Sequence, residues 1–351
     1  MPSRSWFSKA LLPWYTENKR DLPWRNSADP YRIWLSEVIL QQTRVDQGLE
    51  YWKRFVRRWP SVADLAAASE DEVLKEWQGL GYYSRARNLR AGALQVIREH
   101  EGDFPRSHTG LLKLKGVGDY TAAAIASICF NQAEAVVDGN VYRVLSRVFG
   151  IATPIDSSEG RRAFKMLAGE LISKEQPGDH NQAVMELGAT VCTPRNPDCI
   201  ACPLWGRCIA HKEGRIASLP VKSKKHVVRI RHFNYLVIRS AKGLLMRQRK
   251  GKDIWQGLWE LPMLETERSA TSSALLELIS KSLGKSAGTW SVKKTSLPVE
   301  HLLSHQRIIA TYWVCEPVGK WRSPDEWKMV SPKELKKLAV HRLMERWMEK
   351  A

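Results

Sequence analysis

The spacing of apolar residues changes character part-way along the chain. Up to residue 191 they recur at three- and four-residue intervals, which predicts helices near 5–18, 30–43, 47–58, 62–67, 70–77, 84–100, 108–114, 119–130, 140–149, 159–173 and 179–191, separated by short Gly, Pro or Asp breaks. The pattern stops around Cys192, and 193–198 reads as a Pro-bearing loop. Between Arg215 and Arg231 stand six Lys or Arg and no acid, with Pro220 in the middle, which reads as an exposed linker. Beyond it, 233–239, 244–249, 290–295 and 308–314 are rich in β-branched and aromatic residues and predict strands. A helix is expected over 271–283, stopped by Gly284, and another after Ser331-Pro332, where Glu334 completes a capping box. The expected architecture is a mainly α region over 1–216, a basic linker over 217–231 and an α+β domain over 232–351.

One of these helices carries a carboxylate on its apolar side. Asp29 followed by Pro30 supplies a capping oxygen and a preset first turn, so the helix begins near Pro30. On a 3.6-residue period Ile33, Trp34, Glu37, Val38 and Gln41 share a face, which turns Glu37 toward packed atoms. Desolvation raises the pKa of a carboxyl held there and suits it to general acid work near neutrality. A solvated or Arg-paired carboxylate would leave the same pattern.

The totals narrow the chemistry. A chain of 351 residues can bury two sizeable cores. The excess of 55 Lys and Arg over 37 Asp and Glu, a formal charge of +18, points to a polyanionic partner, nucleic acid or an anionic membrane surface. No apolar run approaches about 18 residues, so no spanning helix is expected. Periodicity begins at Trp6, which leaves no stretch for a cleaved leader, and a cytoplasmic address is expected. Four of the six cysteines, Cys192, Cys199, Cys202 and Cys208, form C-x6-C-x2-C-x5-C, a thiolate density that suits an iron–sulfur cluster or a tetrahedral zinc. Cys129 and Cys315 stand alone in apolar runs and read as core.

Two further stretches are double-edged. Gly116 and Gly118 flank Val117 ahead of an Ala-rich helix, an arrangement equally suited to a tight helix–helix turn and to a backbone that approaches a phosphate. Asp138 directly precedes a helix start and reads as an N-cap. Paired with Glu37 it also supplies the second carboxylate that cleavage of a glycosidic bond requires, one group giving a proton and the other steadying the sugar cation.

Taken together, LPWR at 22–25, WLSEVILQQT at 34–43, GLGYYSRARNL at 79–89, LKGVGDYTA at 114–122, VVDGNVYRV at 136–144, NQAVMELGA at 181–189 and the cysteine spacing closely resemble the MutY family of adenine DNA glycosylases, in the helix-hairpin-helix superfamily. The resemblance covers nearly the whole chain and is strongest up to Cys208. It implies a six-helix barrel and a 4Fe-4S domain, with duplex DNA between them, followed by a MutT-like (Nudix-like) domain. The implied activity is excision of adenine mispaired with 8-oxoguanine or guanine. It assigns Glu37 as the acid that protonates the base and Asp138 as the carboxylate that stabilises the sugar cation, with Tyr120 and Asn140 beside them. Gln182 falls where the family contacts the flipped adenine, and Arg25, Gly116, Val117 and Gly118 fall among its DNA contacts. Gln42, Thr43, Leu80 and Tyr82 match residues that enter the duplex, Ser304 and His305 match those that read 8-oxoguanine, and the four clustered cysteines match the ligands of one 4Fe-4S cluster.

Elementary chemistry agrees. A base inside a duplex must be flipped out before its bond to sugar can be reached, and side chains wedge into the gap. Superfamily members that cut the strand carry a lysine where this chain has Tyr120, so a monofunctional glycosylase is expected over an endonuclease III-like glycosylase and lyase for oxidised pyrimidines. A scaffold that only binds DNA would not need both carboxylates. Gly257 to Pro262 resembles the start of the MutT signature, yet the following helix offers only Glu277 as a metal carboxylate, so nucleotide hydrolysis is not expected. Leu303 replaces the family's Phe, and Lys115 its Pro. A monomer in a bacterial cytoplasm, associated with the nucleoid and with no membrane contact, completes the expectation.

Overall fold

The computed structural model describes residues 5–223, 228–283 and 288–350; Gly284 and positions 224–227 of the expected linker lie outside them. Two compact units emerge, one of Met1–Ala67 with Asn88–Lys224 and one of Ala68–Arg87 with Lys225–Ala351.

The helices run α1 (Trp6–Asn18), α2 (Pro30–Leu40), α3 (Val45–Arg58), α4 (Val62–Ala67), α5 (Glu70–Trp77), α6 (Ser84–His100), α7 (His108–Leu111), α8 (Asp119–Phe130), α9 (Gly139–Val148), α10 (Ser158–Leu171), α11 (Pro177–Thr190) and α12 (Ile209–Lys212). In the first unit Phe7 and Leu11 of α1 pack with Val144, Phe164, Ala183 and Leu187 of α9, α10 and α11 in one buried cluster. Such residues recur every three or four positions on each helix, which is why periodicity located them. Asp29 caps α2 by accepting the Tyr31 N–H at 2.9 Å, with Pro30 in the first turn. The helix stops at Leu40, short of the expected Thr43, because Gln41 leaves the helical region at ψ 113° and Gln42 follows left-handed at φ 56°. Between α7 and α8 the hairpin closes with the Val117 N–H donating to the Leu114 carbonyl at 3.1 Å. Gly116 sits there at φ 79°, where a Cβ would come within 2.6 Å of Asn88, so only glycine fits without displacement.

The second unit is built on β1 (Arg229–Val237), β2 (Arg239–Ser240), β3 (Gly243–Gln248), β4 (Trp259–Glu260), β5 (Met263–Thr266), β6 (Thr289–Thr295), β7 (Val299–Leu302), β8 (Gln306–Val318) and β9 (Trp327–Val330). One sheet has the order β5-β1-β8-β6 with β7 also on β8; the other has β2-β3-β4 with β9 on β3. The β1–β8 pair is parallel and its neighbours are antiparallel. Helix α13 (Ser272–Leu283) lies between β5 and β6, and α14 (Pro332–Leu335), where Ser331 and Glu334 form the expected capping box, and α15 (Arg342–Met348) follow β9.

Two expectations about boundaries need correction. The basic stretch over 217–231 is not linker throughout, since 229–231 opens β1 and Arg231 is buried against Asp253 and Glu265, at 2.8 and 2.7 Å. Residues 68–87, expected in the catalytic region over 1–216, group with the second unit. Within it Gln78 accepts the Val340 N–H at 3.1 Å and Lys75 donates to the Leu338 carbonyl at 2.9 Å. Cys315 is core as expected, whereas Cys129 is half-buried.

Candidate active site

Five elements of the first unit enclose a cavity of about 490 Å³. Ile33 and Glu37 reach it from α2, one turn apart, and Gln41 from the residue that ends that helix. Tyr120 and Ile128 come from α8, and Asp138 and Asn140 from the start of α9. Gln182, Met185, Glu186 and Ala189 form one stripe of α11, while Trp24 and Arg25 come from the short 3-10 turn Pro23–Asn26. Gly188 allows this closeness, since a Cβ there would lie 2.6 Å from the Asn140 Cβ. The two carboxylates separated by a hundred residues in sequence thus share one chamber.

Their environments differ. Burial pushes the Glu37 carboxyl up to about 7; a hydrogen bond from Tyr120 works against that rise and the charge of Asp138 adds to it. The Tyr120 hydroxyl also lies 3.3 Å from the Met185 sulfur. Burial raises Asp138 too, but its oxygens accept the Val141 N–H and the Asn140 amide, each at 2.8 Å, which favours the ionised form. Asp138 is therefore both the N-cap of α9 and a cavity carboxylate. One group holds a proton near neutrality and its neighbour is hydrogen-bonded as an anion, the division that acid-assisted cleavage of a glycosidic bond needs.

Several wall residues were not singled out from sequence. Burial alone would raise Glu186, but hydrogen bonds from Arg20 and Arg25 outweigh it and hold its pKa at about 2. Arg25 is accordingly committed to Glu186 at 2.6 Å. Gln182 accepts from the Tyr15 hydroxyl at 3.0 Å, which fixes its amide. Arg143 donates to Asn140 Oδ1 at 2.8 Å and to the Cys192 carbonyl at 2.7 Å, tying the Asp138 turn to the cysteine loop. The α11 stripe had a readable signal in its i, i+3, i+4, i+7 spacing; the pairing of Glu186 with Arg20 and Arg25, more than a hundred residues away, had none.

The other expected residues fall in three places. Gln42 and Thr43 line the same cavity, Gln42 exposed on its left-handed turn. Cys192, Cys199, Cys202 and Cys208 border one apolar hollow with Val148 and Leu187, and Arg147 donates to the Cys192 sulfur at 3.4 Å. Among the described residues no group of three or more His, Cys, Asp or Glu side chains is placed to hold a metal ion. Four thiols bordering one hollow beside a guanidinium are a donor set that suits thiolate-bound iron–sulfur or zinc.

The second unit brings Tyr82 and Ser304 together, hydroxyl to hydroxyl at 2.9 Å, with His305 Nδ1 at 3.0 Å from the same Ser304 oxygen. Ser304 and His305 occupy the tip of the β7–β8 hairpin, closed by the Leu303 N–H on the Gln306 carbonyl at 2.8 Å. Tyr82 is 43% exposed at φ 46°, but Leu80, expected to enter a duplex, is 8% exposed. Glu277, the lone acid of α13, is exposed and paired with Lys281, whereas Glu260 is buried between Arg247 and Arg249.

Comparison with known proteins reads the same way. Residues 35–168 match the family described as HhH-GPD superfamily base excision DNA repair protein, and 234–350 match the NUDIX domain. An adenine DNA glycosylase of Buchnera aphidicola (subspecies Baizongia pistaciae) is 31% identical over 317 residues, spanning 88% of this chain and 86% of that protein. The chain belongs to the adenine DNA glycosylase family. Another member, from Rattus norvegicus, is 48% identical over 226 residues, 61% of this chain and 44% of its own length. The chain spans about half the length of such curated relatives. A thermostable thymine-DNA glycosylase of known structure is 30% identical with a TM-score of 0.55, over 60% of this chain and 97% of that one. An endonuclease III in complex with DNA, 24% identical with a TM-score of 0.51, covers 61% of this chain and 99% of its own, and shares the helical fold. In this chain the helical part is followed by a Nudix fold. Among the described residues no helix is long and apolar enough to cross a membrane.

Proposed function

We propose that this protein is a base-excision repair adenine DNA glycosylase acting on duplex DNA in which adenine lies opposite 8-oxoguanine or guanine. The observation that carries the reading is the single cavity shared by a carboxyl raised to about 7 and a carboxylate hydrogen-bonded as an anion. Adenine is a poor anionic leaving group. Glu37 donates its proton to the ring of a flipped adenine, the C–N bond breaks, and the base keeps the bonding pair and departs neutral. Asp138 offsets the positive charge left on the sugar, water adds to the sugar carbon, and the proton it sheds restores Glu37. Tyr120 hydrogen-bonds Glu37, and a phenol cannot form the Schiff base of a strand-cutting enzyme. Asn140 holds Asp138, and Gln182 meets the base.

The hairpin presents the exposed amides of Gly116 and Gly118 to a phosphate, with buried Val117 closing the turn on Leu114 and exposed Lys115 adding charge, and exposed Arg195 on the cysteine loop adds a further cation. A 4Fe-4S cluster held by Cys192, Cys199, Cys202 and Cys208 would stiffen that loop. Protein purified without oxygen is expected to be brown and to carry about four iron atoms per chain. A colourless protein with one zinc would contradict this.

Tyr82, Ser304 and His305 supply hydroxyls and an imidazole for the edge of 8-oxoguanine. Ser304→Ala is expected to lower the preference for adenine opposite 8-oxoguanine over adenine opposite guanine by about tenfold, roughly one hydrogen bond, with excision from the guanine mispair unchanged. Equal losses on both substrates would remove the residue from lesion reading. The activity itself is tested by timed release of adenine from such a duplex, with a matched A:T duplex as control.

A further inference from the structure

The Glu37 cavity adjoins a second chamber of about 380 Å³, and the two share Arg25, Ile128 and Gln182 as a common wall. Arg25 and Gln182 are tethered, the former to Glu186 and the latter to Tyr15, so the one untethered side chain of this partition is the aliphatic Ile128, half-buried between the chambers. The far side of the second chamber is bordered by Asn26, Ala28, Asn131, Gln176 and the carboxylates Glu175 and Asp179, all exposed. The two openings differ in charge. Arg20 borders the first, where it and Arg25 are paired with Glu186, with exposed Gln42 and half-buried Thr43 beside it, while the carboxylates Glu175 and Asp179 border the second, where no hydrogen bond or ion pair to a cation is seen among the described residues, and repel a phosphate backbone.

We infer that the second chamber is an exit for the excised base, used while the product duplex still covers the first opening. The inference rests on the glycosylase reading above. A flipped nucleotide and its backbone close the way by which the base entered. Once its bond to sugar is broken, the base is a small, neutral, planar molecule with donors and acceptors along its edge. The second chamber offers that molecule side-chain amides and carboxylates and no cation beyond Arg25, which is already paired. A rotamer change at Ile128, which is faster than the release of a bound duplex, opens the wall without moving either catalytic carboxylate.

The test uses the full-length protein in single turnover on a duplex labelled in the adenine opposite 8-oxoguanine, with glycosidic cleavage read by alkaline strand scission and free base by rapid filtration through a membrane that retains protein and DNA. In the native protein, free adenine is expected in the filtrate as fast as cleavage occurs, with the duplex retained. Ala28→Trp and Gln176→Trp, which narrow the acidic mouth from two different elements, are expected separately and together to leave cleavage within about twofold and to slow appearance of free base by about tenfold. Base that stays with the native complex until the duplex dissociates would overturn the exit, as would native release rates in the double variant. A native protein that cleaves no adenine at all would instead overturn the glycosylase reading on which the exit rests.

Discussion

Replacing Glu37 by glutamine is expected to slow single-turnover excision by about a thousandfold, near 4 kcal/mol of transition-state stabilisation, with duplex affinity within about threefold. Glutamine keeps the shape of the wall and cannot give up a proton to the base. The pH profile carries the same signature. Because burial lifts Glu37 to about 7, the protonated fraction and the rate should fall tenfold per unit above that pH. The acid limb should follow Asp138, whose pKa burial raises from its ordinary value. Stability gives an independent reading with its own sign. The folded protein holds the Glu37 proton up to about 7, and the unfolded chain releases it near 4.5, so native protein binds more protons between these values and loses stability as pH rises through them. Glu37→Gln should therefore be more stable than the native protein at pH 8, on the order of 2 kcal/mol, less than the full shift because the Glu37 side chain is only half-buried, and equal to it near pH 4. Chemical denaturation at both pH values checks this; a variant less stable at pH 8 would place Glu37 in a structural ion pair.

The second large effect belongs to Asp138. Its substitution by asparagine separates two roles that alanine would confound, since Asn caps a helix as well as Asp does and lacks the charge. Excision is expected to fall by about a hundredfold to a thousandfold, the cost of removing one preorganised group that offsets transition-state charge. The melting temperature should stay within about 2 °C, because the Val141 N–H keeps its acceptor. A large fall in stability with excision lost in proportion would reduce Asp138 to a cap.

Much of this site could be read along the chain because its pieces are local. Asp29-Pro30 starts α2, the 3.6-residue period turns Glu37 inward, and Asp138 precedes α9 as a cap does. Features made by distant partners left no such trace. Glu186 faces Arg20 and Arg25 across more than 160 residues, and nothing in MELGA announces that its carboxylate is buried and paired. The early end of α2 depends on Gln41 leaving the helical region and on Gln42 adopting a left-handed conformation that glutamine seldom takes, so an apolar pattern continuing to Thr43 was misleading. The basic run before β1 resembled a linker because charge patterning cannot see Asp253 and Glu265 folding back onto Arg231. Strands as short as β4 and β7, of two and four residues, hold too little alternation to register. The grouping of 68–87 with the second unit rests on contacts such as Lys75 with Leu338, which periodicity does not encode.

Everything turns on whether a proton from Glu37 releases adenine. The most direct measurement is chromatographic identification of the free base during one turnover on a duplex with adenine opposite 8-oxoguanine, run with native protein and Glu37→Gln across pH 5 to 9. Adenine equimolar with the strand cut by alkali, at a rate falling above pH 7 and all but lost in the variant, is the predicted result. Release of a different base, or native rates from Glu37→Gln, would contradict it.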